Sequence, residues 1–513
     1  MFSKVNSMGL QGFRAELVHV ECDLSSGLPR FDLVGLPDSA VSEAKERVRS
    51  AIKNCGLNFP ISRITVNLAP AEFKKEGPIY DLPILVAILL ASKQLKVNLE
   101  SAALVGEVAL NGEVRKVNGV LPMVARAKEL NLTEIYVPLE NSEEASLIPD
   151  IRIYPVKSID QLLLHFSGLE KITPLKDRTF EDIKSTFLKP SKDSLDYADV
   201  IGQKCAKRAL EIAAAGGHNL LLVGSPGAGK SMLAKRLPTI LPDMTFEEAL
   251  STSSVYSVAG LLTKEKPLIV ERPFRSPHHT TTDVAFAGGG AKAKPGEVSL
   301  SHNGVLFLDE LPLFSRSALE TLRQPLEDGK VTVTRNAISA TYPGNIMLVC
   351  AMNPCPCGYS LDPVLTCTCT DSAKLRYLSR ISGPLLDRID LQVEVDPLDA
   401  DTLYNRHEKE ESSAEIKRRV TKARDIQTKR FLESDVVCNA GMTPKMVRKF
   451  CTMTPEAKII LMKAFTAMNF SARANDKILR TARTIADLDG SDLIDVKHIS
   501  EAIQFRRLDV LFK

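Results

Sequence analysis

The stretch NLLLVGSPGAGKSMLAKRL, Asn219 to Leu237, decides how the chain is read. Its apolar opening, NLLLVG, reads as a strand. Its middle, Gly224-Ser225-Pro226-Gly227-Ala228-Gly229-Lys230-Ser231, fits GxxxxGK[ST]. Glycines let backbone N–H groups close around phosphate oxygens, a lysine at this place reaches the β- and γ-phosphates, and the following hydroxyl ligates Mg²⁺. The tail, MLAKRL, continues as a helix whose N-terminal dipole end favours anions. Strand, glycine loop and helix in that order point to binding of ATP or GTP, with Mg²⁺ on Ser231.

Working outward, GVLFLDE is an apolar strand with two carboxylates at its tip. Asp309 is placed to hold Mg²⁺ through water and Glu310 to polarise an attacking water. A third strand, NIMLVCAMN, ends in Asn353, whose amide can orient that water; an amide capping the turn before Pro354 is the plainer alternative. Strands alternating with loops and helices predict a parallel sheet covered on both faces, with ligands at the carboxyl ends of the strands. Two arginines could supply positive charge to a transferred phosphoryl group: Arg388 in GPLLDRIDL, and Arg473 at the start of a helix in FSARANDKILR. An arginine finger is worth about 10³ to 10⁵ in rate. Surface salt bridging is the competing role for each. If Arg388 acts from a neighbouring subunit, the active unit is an oligomer.

The rest of the chain divides around this core. Residues 1–168 read as one α+β or α/β domain: ITVNLAP a strand, DLPILVAILLAS a buried helix, EVALNGEVRKV a hairpin turning at Asn111-Gly112, PMVARAKELN an amphipathic helix and EIYVP a strand. Residues 169–194, rich in Lys, Asp, Ser and Pro, read as a linker. Residues 195–396 hold the nucleotide core, and 397–513 carry helical periodicity expected to form a separate helical domain. No internal repeat is evident.

Composition excludes some classes. With 513 residues, 44% hydrophobic and 25% charged, the chain is long enough for about three or four domains and needs no staples. The net charge of +3 neither announces nor excludes a nucleic-acid partner, because local basic patches matter more than totals. The longest apolar run, Leu82 to Ser92, falls short of the roughly 18 residues a membrane span needs. MFSKVNSMGL lacks the apolar core of a signal peptide, so a cytoplasmic location is expected.

Of the ten cysteines, Cys355, Cys357, Cys367 and Cys369 crowd into a C-x-C, nine residues, C-x-C pattern. Four thiolates suit a closed, structural Zn²⁺ site. Free thiols in a tight loop are the alternative. Cys22, Cys55, Cys205, Cys350, Cys438 and Cys451 are expected as ordinary buried residues. His278-His279 suggests a loop contact to DNA or a neighbouring subunit, Lys292 and Lys294 a flexible basic loop able to track phosphates, and KRRVTKAR (417–424) the wet face of a helix.

Taken together, DYADVIGQKCAKRALEIAAAGGHNLLLVGSPGAGKSMLAKRL, ERPFRSPHHT, PGEVSLSHNGVLFLDELPLF, AMNPCPCGY and ISGPLLDRIDL resemble the AAA+ ATPases, more narrowly the magnesium-chelatase-like branch, and within it the ComM/YifB family. The resemblance covers nearly the whole chain. It implies an αβα core with a C-terminal helical lid, assembled as a homohexameric ring with ATP sites between subunits. It implies sensor 1 at Asn353, a finger in trans at Arg388, and sensor 2 at Arg473 with Arg480 as the fallback. The segment from Leu250 to about Leu300 resembles that clade's helix-2 insert. VTVTRNAISATY (331–342) resembles its pre-sensor hairpin, with Arg335-Asn336 at the tip, and related hairpins touch DNA in the ring channel. Family members drive branch migration of DNA during natural transformation. The first domain resembles the proteolytic domain of Lon and its relative in RadA, through GEVALNGEVRKVNGVLPMVARAKELNLTEIYVP. Ile79 and Leu121 stand where that family carries its Ser and Lys, so no protease activity is expected, and the domain binds DNA or braces the ring. A chelatase-like ATPase that remodels a partner protein, and a nucleotide switch without motor activity, are the competing functions.

Overall fold

The computed structural model describes residues 1–176, 178–187, 195–263, 265–290, 293–335, 338–397, 410–468 and 470–508, without the side chains of Phe187, Arg335 and Ile338. No helix among them is long and apolar enough to cross a membrane.

The N-terminal part is built on a seven-stranded mixed sheet in the spatial order Arg30–Val34, Arg63–Ala69, Arg14–Ser25, Phe2–Gln11, Ala102–Leu104, Glu134–Pro138, Arg152–Val156. One half is largely antiparallel, centred on the long hairpin of the first two strands; the other half is parallel. The helix Asp81–Ala91 is apolar all round and is buried almost throughout, as such a sequence requires. Ile79 and Leu121, the two residues compared above with a Ser–Lys pair, are both buried apolar side chains.

A second sheet, of five strands, is parallel throughout, in the order Phe274–Arg275, Val305–Leu308, Met347–Met352, Leu220–Gly224, Leu391–Val395. Side chains alternate between its two faces. Leu220, Leu222, Val305, Phe307, Val349 and Ala351 enter one apolar cluster, and Leu221, Val223, Leu306, Leu308, Leu348 and Cys350 enter another. Both faces are covered, which explains why these strands read as unbroken apolar runs. The edge strand Phe274–Arg275 comes from the segment likened to an insert, so that segment completes the sheet as well as decorating it.

Three features here add to the sequence reading. The stretch 169–194 is not featureless: Phe180–Phe187 is helical, with Phe180 edge-on to Phe246 at 5.5 Å, Ile183 buried, and Lys184 2.8 Å from Asp243. In sequence Phe180, Ile183 and Phe187 stand at i, i+3 and i+7, the period of a short amphipathic helix set among charged and polar neighbours. Residues 188–194 lie outside the described residues. The C-terminal part is helical and packs against the core sheet. Ile416, Val420, Ile478, Ala482, Ile485 and Ile499 belong to the same apolar cluster as one face of the five-stranded sheet. Arg424 also leaves the wet face assigned to it, while Arg419 stays 40% exposed. Arg419 pairs with Glu211 and Glu411, and Arg424 donates to the Ala214 and Ala215 carbonyls at the end of helix Lys204–Gly216. A guanidinium at a helix C-terminus satisfies orphan carbonyls and meets the negative end of the dipole.

Candidate active site

The strand order sets the site. The strand ending in Asn353 lies between the strand that enters the glycine loop and the strand that ends in the two acids. The three carboxyl ends therefore converge, and Asn353 falls between Lys230 and Asp309.

Glycine is required at two places in the loop. Gly227 and Gly229 have φ of +80° and +92°, a region that side chains rarely adopt. Gly224 is demanded by contact instead: a β-carbon there would lie 2.2 Å from the Val395 carbonyl oxygen of the neighbouring strand. The helix Lys230–Arg236 starts immediately after the loop.

Lys230 is buried and its ammonium donates to the carbonyls of Gly224 (2.7 Å) and Ser225 (2.8 Å) and to Asn353 Oδ1 (3.1 Å). Burial pulls its pKa below the usual lysine range, with Asp309 opposing. The Ser231 hydroxyl donates to Asp309 Oδ2 at 2.6 Å. The other carboxylate oxygen of Asp309 accepts from the Glu310 backbone N–H at 3.0 Å. A hydroxyl and a carboxylate in contact are the oxygen donors that Mg²⁺ takes from a protein when phosphates supply the rest. Glu310 adopts φ +52°, a left-handed conformation that costs a residue with a side chain about 1–2 kcal/mol. That turn leaves its carboxylate 58% exposed at the strand end.

His279 was expected at DNA or at a subunit boundary. Its Nδ1 lies 3.6 Å from Glu310 Oε2, and its ring lies beside that of His278, tilted by 34° with centroids 4.1 Å apart. The sequence offers no spacing rule that joins the two; the edge strand Phe274–Arg275 brings them together.

The arginines stand off from this cluster. Arg388 is bound within its own chain, to Glu327 and, at 2.6 Å, to the Pro384 carbonyl. Arg473 is 76% exposed, with its guanidinium 4.0 Å from Asp387. Arg480 donates to the Ala440 carbonyl. None of the three bonds to Lys230, Ser231, Asp309 or Asn353 among the described residues.

Directly after Asn353, the Sγ atoms of Cys355, Cys357, Cys367 and Cys369 all lie within 4.8 Å of one another, the measured approaches being 3.4, 3.6 and 3.7 Å. Zinc–thiolate bonds of about 2.3 Å in a tetrahedron require sulfurs about 3.8 Å apart. Backbone N–H groups of Tyr359 and Thr368 lower the Cys357 thiol to about 6. Elsewhere, Cys22, Cys350 and Cys451 are buried as expected, but Cys55 and Cys438 are only half-buried and Cys205 is exposed.

The hairpin of Lys330–Arg335 and Ile338–Pro343 pairs in register from Lys330 with Pro343 to Arg335 with Ile338. One face is buried through Val331, Val333, Ala340 and Tyr342, with Phe13 edge-on to Tyr342 at 6.2 Å. The other presents Thr332, Thr334, Ser339 and Thr341 to solvent. Asn336 at the tip lies outside the described residues, as does Lys292 of the basic loop.

Family models described as Magnesium chelatase, subunit ChlI, as Subunit ChlI of Mg-chelatase, and as Magnesium chelatase, subunit ChlI C-terminal match residues 196–403, 20–141 and 410–506. Competence protein ComM of Haemophilus influenzae is 43% identical over 98% of this chain and 97% of its own length. The uncharacterized protein YifB of Escherichia coli is 42% identical over 99% and 98%. The magnesium-chelatase 67 kDa subunit of Chlorobaculum parvum is 27% identical, over 31% of this chain and 23% of its own. Identity at this level from end to end, on a parallel α/β sheet carrying the phosphate-loop motif, makes this chain a member of the ComM/YifB family of magnesium-chelatase-like AAA+ proteins.

Proposed function

We propose that this protein is an ATP-driven DNA motor that promotes branch migration of recombination intermediates, working as a homo-oligomeric, hexameric ring. The observation that carries the hydrolytic half is the convergence of Lys230, Ser231, Asp309 and Asn353 at one edge of the parallel sheet. Gly224, Pro226, Gly227, Ala228 and Gly229 form the phosphate cradle. Lys230 exchanges its carbonyl partners for phosphate oxygens. Ser231 and Asp309 are the pair that would hold Mg²⁺, which neutralises charge on the phosphates. Glu310 accepts the proton of the attacking water, and Asn353 orients that water. Arg388 serves the neighbouring subunit and must leave Glu327 to do so. Arg473 acts from the helical lid.

DNA as partner is supported by the full-length likeness to a competence protein and by the polar hydroxyl face of hairpin 330–343. The N-terminal domain, read as a protease-dead relative of Lon, braces that hairpin through Phe13 and Tyr342. Cys355, Cys357, Cys367 and Cys369 fit a structural Zn²⁺, which would cross-link the two ends of their loop.

The deciding assay is ATP turnover without DNA, with linear DNA and with a four-way junction, with Lys230→Ala as the blank. Stimulation by the junction that the blank lacks supports the motor. Turnover indifferent to every DNA refutes it and favours remodelling of a partner protein, the chelatase-like alternative suggested by the shorter match to a chelatase subunit.

A further inference from the structure

The loop bearing the four thiols folds back onto the phosphate-binding loop. Ser225 Oγ donates to Asp362 Oδ2 at 2.8 Å. Asp362 Oδ1 accepts from the backbone N–H groups of Val364 (3.0 Å) and Leu365 (2.8 Å), so its own loop fixes the carboxylate before it reaches Ser225. A second contact lies beside it. Gly358, at φ +91°, approaches Pro226 so closely that a β-carbon there would sit 2.5 Å from Pro226 Cδ and 2.7 Å from Cγ. The Ser225 carbonyl is also a seat of the Lys230 ammonium, at 2.8 Å, so a shift of Ser225 is felt at the lysine.

Gly358 and Asp362 both lie between the two thiol pairs, after Cys357 and before Cys367. Whatever joins those pairs closes the segment that touches residues 225 and 226. Closing it removes conformational freedom that an open loop of this length keeps.

We infer that residues 355–369 are a metal-set brace on the phosphate-binding loop, in which Asp362 is the positioning residue: a thiophilic cation on Cys355, Cys357, Cys367 and Cys369 holds Asp362 and Gly358 against Ser225 and Pro226 and so sets nucleotide affinity. The inference rests on the reading of the four thiols as metal ligands and of residues 224–231 as the nucleotide site. Asp362 touches neither cation nor nucleotide. It acts through Ser225.

The test uses the full chain, with metal counted by elemental analysis and Mg²⁺–mant-ATP binding followed by fluorescence. Ser225→Ala and Asp362→Ala should each weaken binding by about 5- to 20-fold, the loss of one charge-assisted bond. The double variant should match the weaker single within about twofold, because both remove the same contact. Releasing the metal with a mercurial reagent should weaken binding by the wild type similarly, leave Asp362→Ala nearly unchanged, and be reversed by Zn²⁺ after thiol recovery. Ser225→Ala leaves the loop's own turns intact, so it guards against a misfolded Asp362→Ala. Unaltered nucleotide binding after metal release overturns the brace while leaving the zinc reading intact. So do losses that multiply in the double variant. A protein that neither carries nor takes up metal overturns the zinc reading and the metal dependence together. One that fails to bind mant-ATP with metal in place overturns the nucleotide site.

Discussion

Asp390→Asn probes the junction that ties the core sheet to the C-terminal helices. Asp390 precedes the strand Leu391–Val395, and its carboxylate accepts from the Asn219 backbone N–H at 3.0 Å. The Lys477 ammonium, from helix Ala472–Leu488, is 3.4 Å away, and His218 Nδ1 is 3.6 Å away. Both charged side chains are about one-tenth exposed, so solvent screens them little. Removing one member of a buried pair costs about 3–5 kcal/mol, because the other is left without its counter-charge. Lys477 keeps the Ile389 carbonyl at 2.9 Å, which places the expected loss at the lower end, about 3 kcal/mol. The chain has no tryptophan, so urea unfolding is followed by far-ultraviolet circular dichroism. With a slope of about 3 kcal/mol per molar, the midpoint should fall by about 1 M. Asp390→Asn with Lys477→Met should be more stable than Asp390→Asn alone, because the orphaned charge is gone. Lys477, His218 and the Asn219 N–H overcome burial and hold the Asp390 pKa below the usual carboxylate range. A depressed carboxylate stabilises above its unfolded pKa of about 3.9, and this contribution fades as pH falls through the lower folded value. Asp390→Asn should therefore flatten the acid side of the stability profile. A midpoint unchanged in Asp390→Asn, or strictly additive losses in the double variant, would refute the argument.

Three further outcomes are expected. Glu310→Gln should lower phosphate release by about 10² to 10⁴ while retaining mant-ATP affinity, and unchanged turnover would remove Glu310 from the chemistry. Gly224→Ala should cost about 1–3 kcal/mol in urea unfolding and weaken mant-ATP binding, since its methyl meets the Val395 carbonyl; wild-type values for both would show that the neighbouring strand yields. His302 is held by Asn345 N–H at 3.2 Å and Ser251 Oγ at 3.0 Å, and burial lowers its pKa to about 4. A histidine whose folded pKa is depressed favours folding fully above about pH 6.5 and loses that contribution as pH falls through 4, in all about 3 kcal/mol. Urea stability measured from pH 4 to 7 should show this slope in the wild type and lack it in His302→Gln.

What was readable along the chain was local or periodic. The phosphate loop declares itself because its glycines, lysine and serine act through one short segment of backbone. The strands ending at Asp309 and Asn353 are apolar without a break because both sheet faces are covered, and the hairpin at Asn111-Gly112 follows from turn chemistry. Four cysteines within fifteen residues suggest a shared ligand without reference to the fold, because chain length alone keeps them close.

Tertiary structure decided everything whose partner is far away in sequence. Glu310 faces His279 only because an edge strand from the insert joins the sheet beside the acid strand. Arg424 reads as a solvated charge until the helix whose carbonyls it caps is packed against it. Phe180 and Ile183 read as linker until Phe246 supplies the surface that makes a helix worth forming. Asp362 is one of the nine residues between the thiol pairs, to which the cysteine pattern assigns no role, and Ser225 gives it a partner. Residue type and spacing determine what a side chain is able to do. Which of those capacities is used depends on what the fold places within about 3 Å of it, because hydrogen bonds and ion pairs act at contact.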